Sequence, residues 1–194
     1  SELLELGNCV NVKSLDNRVS VFVLLEALRA IKKSRRKPAY DFYAVFTVQE
    51  EVGLRGANVS ALEIQPDFGF GLDTTIAFDT PGAQPQERCT SLGKGAGIKI
   101  MDSSAICDYR MVAYMKKTAD AKKIKWQPEI LAAGGTDTAS LQRMNPGGSI
   151  AGAISIPTRH IHQSIEMSDK TDIEACIKLL AACVCGLDKG AWEF

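Results

Sequence analysis

The run Ala-Val-Phe-Thr-Val at 44–48 passes directly into Gln49, Glu50 and Glu51, then into Gly53, Arg55 and Gly56. The Phe-, Tyr- and Val-rich stretch over 41–48 predicts a buried central strand. Two adjacent carboxylates at the end of such a strand are costly to bury unless something positive faces them. A divalent cation is the commonest such partner, so its other ligands should stand at the ends of other elements. Neighbouring strand residues point to opposite faces. Glu50 and Glu51 therefore reach one site only where the strand has ended and the backbone turns, which Gly53 permits.

The rest of the chain alternates strand and helix signals. Residues 2–12 read as a short amphipathic lead-in. Ser14-Leu15-Asp16-Asn17 is a helix start, and 19–31 is apolar nearly all round, with a narrow polar stripe of Glu26, Arg29 and Lys33. Such a helix is expected to be covered on most sides. A basic loop follows at 32–38, a short helix at 54–62, and a second buried strand at 67–76 ending near Asp73. Asp79-Thr80-Pro81-Gly82 is a turn, 83–91 a polar excursion, and 98–101 a strand. The glycine-rich run at 93–97 matches no phosphate loop. Asp108 is placed to cap a helix through Thr118, 125–131 alternates as a strand, and Gly134-Gly135-Thr136-Asp137 turns into a helix at 138–143. An apolar strand at 150–156 leads to Pro157-Thr158-Arg159-His160-Ile161-His162. The final helix repeats Ile173, Cys176, Ile177, Leu180, Cys183 and Val184 at intervals of three and four, with a capping box at Thr171-x-x-Glu174. This order predicts a three-layer α/β/α sandwich around a central mixed sheet, with 1–194 a single catalytic domain portion.

Lys+Arg and Asp+Glu are both 23 in the 194 residues, so no nucleic-acid or polybasic membrane surface is expected. No apolar run is long enough to span a bilayer, and Ser1-Glu2-Leu3-Leu4-Glu5 is acidic where a signal peptide would be basic. The six cysteines lack zinc-ribbon spacing and read as reduced thiols of a cytoplasmic protein. Ser1 is not a natural start, and a fragment or processed chain is expected.

Asp16, Glu50, Glu51, Asp73 and His162 all stand at edges of predicted elements. Ligands of open α/β sheets gather outside the carboxyl ends of the strands, so one rim can collect all five. A cation there acidifies a water, and a neighbouring glutamate takes its proton. Asp, Glu and His suit zinc or cobalt. Taken singly, each residue has a plainer role. Asp16 and Asp137 read as helix caps, Glu50-Glu51 as a solvated loop pair, Asp73 as an acceptor for strand-end amides, and either histidine as structural.

Taken in order, Leu15-Asp16-Asn17-Arg18, Val48-Gln49-Glu50-Glu51-Val52-Gly53-Leu54-Arg55-Gly56-Ala57, Leu72-Asp73-Thr74-Thr75, Asp79-Thr80-Pro81-Gly82, Gly134-Gly135-Thr136-Asp137 and Pro157-Thr158-Arg159-His160-Ile161-His162 resemble the dinuclear-metal aminopeptidases of metallopeptidase family forty-two. That family holds the tetrahedral and deblocking aminopeptidases, the FrvX-like proteins and members once called endoglucanase M. The resemblance runs from Asp16 to the final helix. It implies release of N-terminal residues from short peptides by a metal-activated water. By resemblance, Asp16 bridges two metals, Glu50 is the general base, Glu51 and His162 share one metal, and Asp73 ligates the second. Gly135, Thr136 and Asp137 line the substrate end.

Two departures accompany the resemblance. The family's N-terminal His-x-Asp motif and the inserted oligomerisation domain have no counterpart here, and Gln163-Ser164 stands where Ser-Pro or Thr-Pro is common. The full family site implies two divalent ions (Zn, Co or Mn), with at most one held firmly by this chain. The chain is then expected to be weakly active or inactive alone. Its expected partners are the missing N-terminal segment, short peptides and, at full length, copies of itself. Two alternatives are a non-catalytic remnant or assembly subunit, and a carboxylate-pair glycosidase, which needs no metal.

Overall fold

The computed structural model describes residues 2–193. In chain order the strands are β1 (Leu4–Leu6), β2 (Cys9–Val12), β3 (Phe68–Ile76), β4 (Ala96–Met101), β5 (Trp126–Ile130), β6 (Ile150–Arg159) and β7 (Glu166–Asp169). The helices are α1 (Leu15–Lys33), α2 (Arg55–Ile64), α3 (Tyr109–Lys122), α4 (Thr138–Arg143) and α5 (Lys170–Gly186). One mixed sheet takes the order β1-β2-β7-β6-β4-β5, with β3 on the remaining side of β6. β3 and β6 run parallel in unbroken register, from Phe68 opposite Ile150 to Ile76 opposite Thr158. Their carboxyl ends therefore open on the same rim.

The alternation Phe68-Gly69-Phe70-Gly71-Leu72 explains the layering. Phe68, Phe70 and Leu72 pack on the main core, which joins α1, α3 and α5 through Val23, Ala27, Met111, Met115, Leu179 and Cys183. Gly69 and Gly71 face α4. A Cβ on Gly69 would stand 2.5 Å from a Leu141 methyl, and one on Gly71 2.1 Å from the Thr138 hydroxyl. The missing side chains let α4 lie directly on the strand. A smaller cluster, Leu54, Ala105 and Ala139, seals this second face. The expected α/β/α layering is thus present. Among the described residues no helix is long and apolar enough to cross a membrane.

A buried ion pair ties the middle of the sheet. The Lys99 Nζ lies 2.5 Å from Glu129 and 3.5 Å from Asp102, with all three side chains fully buried. Burial works against the ammonium, but Glu129 and Asp102 hold it above its ordinary range. The Thr75 hydroxyl also donates to Glu129, at 2.7 Å.

Several expectations change. The predicted strand at 41–48 has no ladder: the run is irregular and mostly exposed, with Tyr43 62%, Phe46 50% and Val48 67% accessible. Its composition suits a sheet interior, yet no neighbouring strand within the described residues pairs with it. The lead-in is a hairpin, β1–β2, with Leu4 opposite Asn11. β7 had no sequence signal of its own. α1 is less covered than its composition suggests, leaving Val21, Phe22 and Leu25 exposed beside its buried stripe. The α5 cap is Asp169, whose carboxylate accepts from the Thr171 amide, rather than Thr171 itself.

Candidate metal centre

Three elements deliver side chains to the rim. Asp16 sits at the start of α1, where Asp16 and Asn17 are still non-helical. Its carboxylate is turned towards the Thr74 side chain of β3 and towards His162. Glu50 and Glu51 lie in the turn that follows the 41–48 run. The turn is closed by nested bonds: Gly53 and Leu54 amides donate to the Glu50 carbonyl, Arg55 to Gln49 and Gly56 to Val48. Gly56 must be glycine here, since a Cβ would stand 2.6 Å from the backbone of Val48. Gly53 takes φ +114°, as a turn at that position needs. His162 follows β6 with φ 65°.

Asp16, Glu51 and His162 each offer a ligand atom, and these atoms all lie within 4.8 Å of one another. The His162 Nε2 is 3.0 Å from Asp16 Oδ2 and 3.5 Å from Glu51 Oε2. Asp16 is largely buried, whereas Glu51 and His162 are open to solvent. Asp73 is not part of this triad. It is buried just below, with its Oδ1 accepting from the Thr74 amide at 2.8 Å.

The carboxylates of Asp16, Glu50, Glu51, Asp73 and Asp137 act on one another. Burial, then Asp137, Glu51 and Asp16, push Glu50 up to about 7, with His162 pulling the other way. Asp73 is driven well above the usual carboxylate range by burial, then by Glu50 and Asp16. Burial and Glu51 raise Asp16, opposed by His162. Burial also raises Asp137, opposed by the Thr47 hydroxyl, which donates to its Oδ2 at 2.6 Å. Such crowding of like charge is relieved by a cation, and the Asp/Glu/His donor set fits zinc, cobalt or manganese.

From the 134–137 loop, Asp137 acts on Glu50 and Asp73. Although Asp137 precedes α4, its side chain makes no cap bond. Thr136 is buried and donates to Asp102 at 3.1 Å. Gly135 lies against Ser104, whose Oγ a Cβ would meet at 2.5 Å.

Two contributors had no individual signal in the sequence. Thr47 holds Asp137, and Glu166 accepts from the backbone amides of Asp16 (2.8 Å) and His162 (3.0 Å). Their partners are 90 residues away for Thr47, and 150 and four for Glu166, so spacing alone could not reveal the pattern. The cysteines are all free thiols; Cys107, Cys176 and Cys183 are buried, and Cys9, Cys89 and Cys185 partly so.

The acid-rich, histidine-bearing rim beside the carboxyl ends of β3 and β6 carries the donor types that hydrolytic metal sites use. Comparison with known proteins sharpens this class. The profile of the M42 glutamyl aminopeptidases matches residues 1–179. The chain is 40% identical over 179 residues to a protein named as an aminopeptidase in Acetivibrio thermocellus, covering 92% of this chain and 52% of the relative. Among solved structures, an aminopeptidase from the archaeon Desulfurococcus kamchatkensis superposes with a TM-score of 0.89 at 38% identity, covering 94% of this chain and 51% of the other. The TET1 peptidase of Pyrococcus horikoshii, which can assemble into a tetrahedron or a large octahedral shell, matches with a TM-score of 0.78 at 28% identity, covering 94% and 52%. The chain therefore belongs to the M42 glutamyl aminopeptidase family. It spans about half the length of the relatives it matches.

Proposed function

We propose that this chain is the metal-holding catalytic portion of an aminopeptidase that removes N-terminal residues from short peptides. The observation that carries the reading is the convergence of Asp16, Glu51 and His162 within 4.8 Å, from three distant parts of the sequence. These three residues would hold one divalent ion firmly. Asp73, with Asp16, would contribute to a second that needs a further ligand. A bound ion supplies Lewis acidity towards the peptide carbonyl and the attacking water. Glu50 takes the role of general base, its carboxyl standing next to Glu51 and under the influence of Asp137 and Asp16. Asp137, oriented by Thr47, would face the substrate end with Gly135 and Thr136.

The exposed 41–48 run supports the view that further polypeptide completes the domain, since the matched relatives are about twice as long. On this reading the isolated chain is weakly active or inactive, and the full protein self-associates as the TET1 peptidase does. The test has two arms. Titration of the chain with Co²⁺ should give one tight site, which His162→Ala removes. In a full-length protein, Glu50→Gln should abolish hydrolysis of a tripeptide while retaining the ion. Full activity in Glu50→Gln would reject the assigned base, and no cobalt uptake by the wild-type chain would reject the metal reading.

A further inference from the structure

Glu166 is 2% exposed at the first position of β7. The ladder fixes where it stands: β7 pairs with β2, placing Glu166 opposite Val12, and with β6 through Thr158 and Arg159. From there its two carboxylate oxygens divide their work. Oε2 accepts from the Asp16 amide at 2.8 Å and Oε1 from the His162 amide at 3.0 Å. These are two of the three residues whose side chains converge at the rim, and nothing else described links their backbones. His162 also needs a tether, because φ 65° is a region that residues with a side chain seldom occupy.

We infer that Glu166 is a positioning residue for the metal centre, setting the separation of Asp16 and His162 by clamping both backbones with one carboxylate. This inference rests on the metal-holding reading proposed above. The chemistry asks for a carboxylate specifically. An ionised glutamate accepts at both ends, whereas glutamine accepts at one and donates at the other. In Glu166→Gln the amide nitrogen would face a backbone N–H, so one of the two tethers is lost although size and shape are kept.

The probe is Co²⁺ alone, followed by calorimetry and by its visible absorption, on the 194-residue chain. Wild type should take up one ion. Glu166→Gln should bind it about 10–100-fold more weakly, the range found for residues that orient metal ligands, with an altered absorption envelope. Asp108→Ala serves as the stability control. Asp108 caps α3 through the Arg110 amide, and its own amide bonds Ala151 near the opposite end of β6. That variant should lower the melting temperature while leaving cobalt affinity and spectrum unchanged. Should Glu166→Gln fail to fold, Glu166→Asp keeps both acceptors but is one methylene short, and it should show the same weakening to a smaller degree. Wild-type affinity and spectrum in whichever of these variants folds would overturn the inference while leaving the metal reading intact. No cobalt uptake by wild type would overturn both.

Discussion

The rim has a firm side and a loose side. Asp16 and His162 stand on backbone tied into the sheet, at the start of α1 and the exit of β6, and a single buried carboxylate holds both amides. Glu50 and Glu51 stand on a turn fed by the 41–48 run, whose backbone joins no strand ladder among the described residues and whose Phe46 and Val48 face solvent. Both sides carry strong sequence patterns. The difference lies in what each pattern needs from elsewhere. Side chains at strand exits converge once β3 and β6 are in register, and that register lies wholly within the chain. An apolar run becomes a strand only when a neighbour satisfies its N–H and C=O groups.

The sharpest way to break this comparison is amide hydrogen exchange. The amides of Ile154 and Ile156 in β6 should exchange only through global opening, while those of Val45 and Phe46 exchange with almost no protection. The difference should approach the whole stability of the domain, on the order of 5 kcal/mol or more. Comparable protection in the two segments would erase the distinction. Next in size is Lys99→Met, which strands Glu129 and Asp102 in the sheet interior. It should cost about 3–5 kcal/mol in a urea unfolding curve, and a loss under 1 kcal/mol would mean the firm side does not depend on that pair. Asp169→Ala removes the α5 cap and the acceptor for the Asn8 side chain. It should cost about 1–2 kcal/mol by the same measurement. At the loose side, Phe46→Ser should shift stability by no more than about 0.5 kcal/mol. A loss of 2 kcal/mol there would show the run to be packed in solution.

Much of the fold was legible because its signals are local. The period of Ile173, Cys176, Leu180 and Cys183 marks α5, and Asp108 announces α3. The two glycines before Thr136 and Asp137 mark the turn into α4. Asp16, Glu51 and His162 were legible as a set, by their order and by their family resemblance, while each alone reads as an ordinary polar residue. What escaped reading depends on tertiary context. β7 is four residues long and polar at three of them, so only its two neighbours make it a strand. Glu166 bonds main-chain amides, which carry no residue-specific signature. The 41–48 run was misread because hydrophobicity reports what a segment can bury, not whether a partner is at hand.

The unbroken β3–β6 ladder also bears on how this chain tolerates insertions. Asp73 lies opposite Ser155, and His162 follows only a few residues beyond the last pair. The paired strands thus work as a ruler. Deleting one residue between Phe68 and Asp73 would turn Asp73 to the other face of the sheet, and adding one within β6 would move His162 away from Asp16. The connection between β3 and β4 is free of that constraint: doubling its length would add only about 0.6 kcal/mol of closure entropy. Length variation among related chains should therefore collect in that loop and be nearly absent from the two strands.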